Sequence, residues 1–151
     1  MTPAQMHLIR RSFSMVNPIA PQAAALFYSR LFEIDPGLRA LFPGDLKVQG
    51  NRLIEALARC VEAIDEPEAL LASARELGER HAGLGAREAH HESVAIAMMW
   101  TLQAALGPAF SPAVREAWAI FYRSLASAAK ASARAVISRE PTRVCAAPAS
   151  R

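Results

Sequence analysis

The sequence predicts an all-α domain, and three observations carry that expectation. Apolar residues recur at three- and four-residue spacing through most of the chain. Prolines and glycines fall at the ends of these periodic stretches and cut them into pieces of helical length. Alternating apolar and polar runs, the mark of half-buried strands, are nearly absent.

Each element has its own signals. Thr2-Pro3-Ala4-Gln5 offers a cap, a proline at the first helical position and a glutamine three residues after the cap. The first helix then runs to about Asn17, where Pro18 interrupts it. A second carries "PQAAALFYSRLFEI", with Leu26, Phe27, Leu31 and Ile34 at helical spacing. Asp35-Pro36 reads as a fresh cap and restart leading into "GLRALF", and Pro43-Gly44-Asp45 as a turn. From Leu46 the series Leu53, Leu57, Val61 and Ile64 marks one face of a long helix, but Gln49 and Gly50 break that face. "DEP" at 65–67 opens a helix to His81, ended by Gly83 and Gly85. Another runs from about Arg87 to Leu106, stopped by Gly107-Pro108. Ser111-Pro112 caps the last, which carries Trp118, Phe121, Tyr122 and Leu125. Beyond Ile137 the periodicity is lost. Residues 1–136 are therefore expected to form the domain, and 137–151 a basic, disordered tail.

Composition narrows the class. A chain of 151 residues with 52% hydrophobic content is long enough for one real core. The net charge of +3 is local: Lys130, Arg134, Arg139, Arg143 and Arg151 against Glu140 put +4 into residues 130–151, which leaves −1 for residues 1–129. A body without a positive field is not expected to bind nucleic acid. Two cysteines, Cys60 in a helical pattern and Cys145 in the tail, make no disulfide framework, and Cys60 reads as a small buried residue. No run approaches the roughly 20 apolar residues of a membrane span, and the N-terminus lacks a signal-type run. A soluble, cytoplasmic protein is expected.

"LGERHAGLGAREAHHESVA", residues 77–95, holds three of the four histidines. Zinc is disfavoured: histidines that share a metal on a helix stand four apart, whereas these are separated by nine and by one, and no cysteine lies near. A haem iron needs one axial histidine facing an apolar cavity. His81 sits at a helix end one turn after Leu77, whose carbonyl region can hold Nδ1–H and leave Nε2 for a metal. Taken alone, the local residues favour a histidine stabilised at a helix C-terminus by the dipole, with iron ligation as the alternative.

From about Met6 to Ala129 the chain resembles the globin family, and most closely single-domain bacterial globins related to the haem domain of flavohaemoglobins. "LFYSRLFEIDPGLRALFPGD", "VQGNRLIEALA", "LGERHAGLGAREAHHESV" and "LGPAFSPAVREAWAIFYRSLA" occur in family order with suitable spacing. The resemblance implies the globin fold, a three-over-three helical sandwich around a haem b pocket. It places His81 at the proximal iron ligand and Phe42 at the corner position that packs on the haem face. Tyr28 and Gln49 fall at the distal positions that stabilise bound ligand, and Leu53 at the apolar wall. Leu77, His91 and Val94 complete the implied cofactor-binding set.

Two neutral donors aimed at partly negative bound dioxygen imply high affinity and slow release. Two departures qualify the resemblance. His91 stands where the related proteins carry a tyrosine that works with a last-helix glutamate on the proximal histidine, and the region around Ser132, Ala133 and Arg134 offers no carboxylate. His91 either takes over part of that role or faces solvent, while His90 reads as a surface or subunit-contact residue. Flavin and nicotinamide domains have no place in 151 residues, so electrons would come from a separate reductase.

The expected function is reversible binding of dioxygen, nitric oxide and carbon monoxide, for oxygen storage or nitric-oxide dioxygenation, by a monomer or homodimer. The alternatives are a haem-based gas or redox sensor acting through a partner, and a haem-free helical protein of the same fold.

Overall fold

The computed structural model describes residues 1–83 and 88–139, with the side chains of 81–89 and 133–139 outside the description. Among the described residues stand six α-helices and no strand: α1 (Pro3–Val16), α2 (Ala20–Ile34), α3 (Leu46–Glu62), α4 (Pro67–Gly83), α5 (Glu88–Leu106) and α6 (Pro112–Arg139). Short 3-10 turns at Asn17–Ile19, Pro36–Leu41 and Gly107–Ala109 join them. The expected all-α class and the order of its elements hold. None of the described helices is long and apolar enough to cross a membrane.

Capping explains where the helices begin. The Thr2 hydroxyl accepts from the Gln5 amide at 3.2 Å while Gln5 Oε1 accepts from the Thr2 amide at 2.9 Å, so two backbone donors are satisfied reciprocally. Asp45 caps α3 by accepting from the Lys47 amide at 2.8 Å, and the Ser111 hydroxyl caps α6 by accepting from the Val114 amide at 3.3 Å. Gly107 takes φ 52°, the left-handed turn that ends α5. Two expectations need correction. Asp35 makes no side-chain capping bond, and Pro36–Leu41 winds as a 3-10 segment held by backbone bonds such as Leu38 N–H to the Asp35 carbonyl. α6 also runs past residue 137 to Arg139. The rest of the expected tail, with Cys145, lies outside the described residues.

The helices pack in two layers, α1, α3 and α4 against α2, α5 and α6, through the pairs α4–α6, α1–α6 and α2–α3. The main core joins Ile9, Phe13 and Val16 of α1 to Cys60 and Val61 of α3 and to Trp118, Phe121 and Leu125 of α6. Cys60 is fully buried, as expected, and burial pushes its thiol up to about 11, so it packs as a small inert residue. One buried polar link crosses this core. The Trp118 indole N–H donates to Ser12 Oγ at 2.9 Å, and Ser12 in turn donates to the Leu8 carbonyl at 2.7 Å.

A second, smaller cluster is formed by Phe27, Tyr28, Leu31, Leu38 and Ala97, with Phe42, Leu53 and Val94 against it. It sits between α2, α3 and α5, and it builds the site. Leu26 does not belong to it: read with the apolar face of its helix, it is 39% exposed, because the inward stripe runs through Phe27, Tyr28 and Leu31.

Two glycines set how closely helices meet. A methyl group at Gly50 would lie 2.9 Å from the Ala24 Cβ, so bare backbone there lets α3 press onto α2. At Gly78 a methyl group would strike the main chain of Ala129, with its Cα and carbonyl carbon only 2.8 Å away. Backbone cannot step aside as a flexible side chain can. Gly78→Ala is therefore expected to lower stability by about 2 kcal/mol or more through forced separation of α4 from α6. Gly44, with nothing within 4 Å, provides the control, and Gly44→Ala should leave the urea midpoint unchanged. Ser12→Ala strips the Trp118 indole of its acceptor and should cost roughly 1–3 kcal/mol in the same denaturation experiment.

Candidate functional site

The inner cluster encloses a cavity of about 160 Å³ whose walls are almost wholly apolar. Leu31, Leu38 and Phe42 close one side, Leu53 and Leu77 another, and Val94 and Met98 of α5 with Phe121 and Leu125 of α6 the remainder. A wider cleft of about 610 Å³ adjoins it, and Tyr28, Phe42, Leu53, Ala56 and Leu77 line both spaces. The character changes across that shared wall. The cleft carries Gln49, Arg52, Glu55, Arg59 and Arg80, so an apolar interior opens onto an edge with three guanidinium groups.

Tyr28 stands at the boundary. Its ring is held edge-on by Phe27 at 5.2 Å and by Phe42 at 5.4 Å between centroids, and Phe32 lies 6.0 Å away. The residue is only 5% exposed, so its hydroxyl is kept from bulk water and must find a partner inside. It donates to the Gln49 carbonyl oxygen on α3 at 3.3 Å, a long bond. Burial pushes the Tyr28 phenol up to about 12, which keeps it a neutral donor at every physiological pH. The close α2–α3 approach explains this meeting, since Tyr28 lies one turn after Ala24 and Gln49 directly precedes Gly50.

The structure brings Tyr28, Phe42, Leu53, Leu77, His91 and Val94 to the inner cavity, and Gln49 to the adjoining cleft. His81 lies by its backbone in the last turn of α4, one turn beyond Leu77, and its side chain falls outside the described residues.

Several wall residues have no place in the expected site. His90, read as a surface or subunit-contact residue, is half-buried and lines the cavity beside His91. The signal was in the spacing: His90, Val94 and Met98 form one i, i+4, i+8 stripe, and His91 stands three before Val94. Tyr122 is another. Its hydroxyl donates to the His91 carbonyl at 2.8 Å, pinning the start of α5 to α6, and burial pushes this phenol up to about 12 as well. Trp118, Phe121, Leu125 and Ala129 share its stretch of α6 and were legible only as core. The arginines of the cleft come from different helices, Arg52 and Arg59 from α3 and Arg80 from α4, so no contiguous motif announces them.

Such an arrangement can hold a flat, largely apolar molecule with an acidic edge. One neutral hydroxyl, that of Tyr28, and one amide-bearing residue, Gln49, stand where the two spaces meet.

Comparison with known proteins points the same way. The model of the Globin family matches residues 25–129. A flavohemoprotein of Bordetella pertussis is 32% identical over 103 residues, 66% of this chain and 26% of the relative. One of Vibrio cholerae is 26% identical over 129 residues, 83% of this chain and 33% of the relative. The chain thus spans about a quarter to a third of the length of the curated relatives it matches. Among solved structures, a hexacoordinated heme protein from an anhydrobiotic tardigrade superposes with a TM-score of 0.82 at 17% identity. The match covers 89% of this chain and 96% of that one, and it shows a shared fold.

The chain has two tyrosines, and burial raises both. Spectroscopic titration of the folded protein should therefore show tyrosinate absorbance rising with a midpoint near pH 12. In the unfolded chain both phenols ionise near their ordinary 10.0. The unfolded state then holds fewer protons than the folded one at high pH. Stability from this source is complete below about pH 10 and is lost as the pH rises through 12.

Proposed function

The chain belongs to the globin family, and from that premise we propose that it holds haem b and binds dioxygen, nitric oxide and carbon monoxide with high affinity. The observation that carries this reading is the buried Tyr28 hydroxyl, set beside Gln49 where the apolar cavity meets the cationic cleft.

The walls suit the cofactor. Haem is flat and apolar across its faces and bears carboxylates on one edge, which matches an aliphatic and aromatic cavity bordered by Arg52, Arg59 and Arg80. When bound, haem supplies an iron that takes diatomic gases reversibly. His81, in the last turn of α4 and one turn after the wall residue Leu77, is the proposed iron ligand. Phe42, Leu53, Leu77 and Val94 exclude water, which strengthens every hydrogen bond made inside.

Tyr28 and Gln49 are the proposed ligand-stabilising pair. The long bond from the Tyr28 hydroxyl to the Gln49 carbonyl leaves room for a better acceptor. A ligand oxygen bearing partial negative charge draws the hydroxyl proton more strongly, and the neutral phenol can donate without changing its own ionisation. Each such bond is worth roughly 1–2 kcal/mol in a dry pocket, and about 1.4 kcal/mol slows dissociation tenfold. His91, held at the cavity through its own carbonyl by Tyr122, belongs to the cofactor-binding wall.

High affinity suits storage or chemistry better than bulk delivery. In the enzymatic form of the proposal, nitric oxide and dioxygen combine with one electron to give nitrate, and a separate reductase supplies the electron. A soluble, cytoplasmic setting, where such a reductase would be at hand, accords with this reading.

The distal assignment is tested on the haem-loaded ferrous protein by stopped-flow oxygen dissociation. Tyr28→Phe removes one donor while preserving the ring contacts, and the off-rate should rise about tenfold. An unchanged off-rate would sink the role given to Tyr28. Sustained nitric-oxide consumption with an added reductase separates turnover from a single stoichiometric reaction.

A further inference from the structure

The chain on either side of His81 is fastened to one face of α6. Before it, Gly78 of α4 lies against the main chain of Ala129, so close that an added methyl group would come within 2.8 Å of the Ala129 Cα and carbonyl carbon. After it, the His91 carbonyl in the first turn of α5 accepts the Tyr122 hydroxyl at 2.8 Å. Tyr122 and Ala129 stand seven residues apart on α6, on the same side of the helix and about 10 Å apart along its axis. Leu125 and Ala126 lie between them, and all four line the inner cavity. Both fastenings therefore belong to the cavity wall itself.

The two differ in kind. At Gly78 backbone meets backbone, and no side chain is present to give way. At His91 the link is one directed bond from a half-buried phenol. α5 packs more broadly on α2 than on α6, so a directed bond to α6 adds a constraint that the α2 packing does not supply. Burial pushes the Tyr122 phenol up to about 12, and the hydroxyl stays a donor across the physiological range. A rigid helix with two fixing points sets the span that the chain between Gly78 and His91 must bridge. His81 lies in that stretch, three residues after the first point and ten before the second. Releasing either end widens the set of positions open to the residues between them. Groups that hold a metal ligand in place also tune the bond it makes.

We propose that Tyr122 is a positioning residue for the iron ligand: through the His91 carbonyl it fixes one end of the stretch that carries His81, while Gly78 on Ala129 fixes the other. The inference rests on the reading of His81 as the haem ligand, and it adds what keeps that ligand in register.

Tyr122→Phe deletes the hydroxyl and keeps the ring in the cavity wall. In the haem-loaded ferrous protein the iron–histidine stretch should move or broaden in resonance Raman spectra. Haem should also pass to an excess of an acceptor protein about tenfold faster, the change expected for one lost hydrogen bond. In the haem-free chain, amide exchange at residues 92–95, beside the released carbonyl, should quicken. Ser111→Ala is the control. It removes the cap of α6 at a residue that lines neither the cavity nor the cleft, so the urea midpoint should fall while the Raman band and haem loss stay at wild-type values. A Tyr122→Phe protein with the wild-type band and wild-type haem loss overturns the proposal, and so does unchanged amide exchange. An equal shift of the band in Ser111→Ala overturns it too, because the effect would then follow stability alone. A wild type that takes up haem without an iron–histidine band is a different failure: it removes the reading of His81, and the role of Tyr122 with it.

Discussion

The site depends on how closely α3 approaches α2. Gly50 meets Ala24 where even one added methyl group would sit 2.9 Å from the Ala24 Cβ. That contact fixes its neighbours. One turn along α2 from Ala24 comes Tyr28, and one residue before Gly50 comes Gln49, so the same crossing brings phenol and carbonyl to 3.3 Å. A bulkier residue at position 50 would hold the helices apart and leave the buried hydroxyl without its partner. The opposite wall has the same logic: Gly78 seats α4 on the main chain of Ala129 three residues before His81. Small residues thus position the groups proposed to act on either side of the pocket.

Much of this was legible in the sequence, and the part that was not has a physical reason. Helix order followed from capping residues and breakers, as at Thr2, Ser111 and Gly107, because those signals are local. The polar break at Gln49-Gly50 marked the position proposed to be distal, and the structure supplies two causes for it: close helix approach for the glycine, and a place on the cleft for the glutamine. Leu26 was misjudged, since a leucine beside an apolar stripe looks the same whether it closes the core or borders it. His90, expected at the surface or in a subunit contact, lines the cavity together with its neighbour His91. The arginine edge was invisible: residues 52, 59 and 80 become neighbours only once α3 and α4 pack.

Polarity is sorted by depth. In the inner cavity burial keeps Tyr28 and Tyr122 protonated, each with a carbonyl to donate to. Guanidinium groups stay at the cleft, where solvent meets them. A chain whose first 129 residues carry a net charge of −1 nevertheless concentrates three arginines on one edge of its pocket. This gradient suits the proposed cofactor, apolar across its faces and acidic along one edge.

The central claim is that this pocket holds haem through His81. Titrating the purified chain with haem, and following the Soret band together with the ferrous iron–histidine stretch in resonance Raman spectra, tests it most directly. The account predicts saturation at one haem per chain with an iron–histidine band, and loss of that band and weakened haem retention in His81→Ala. Unaltered binding and spectra in His81→Ala, or no specific Soret band in the wild type, would contradict it.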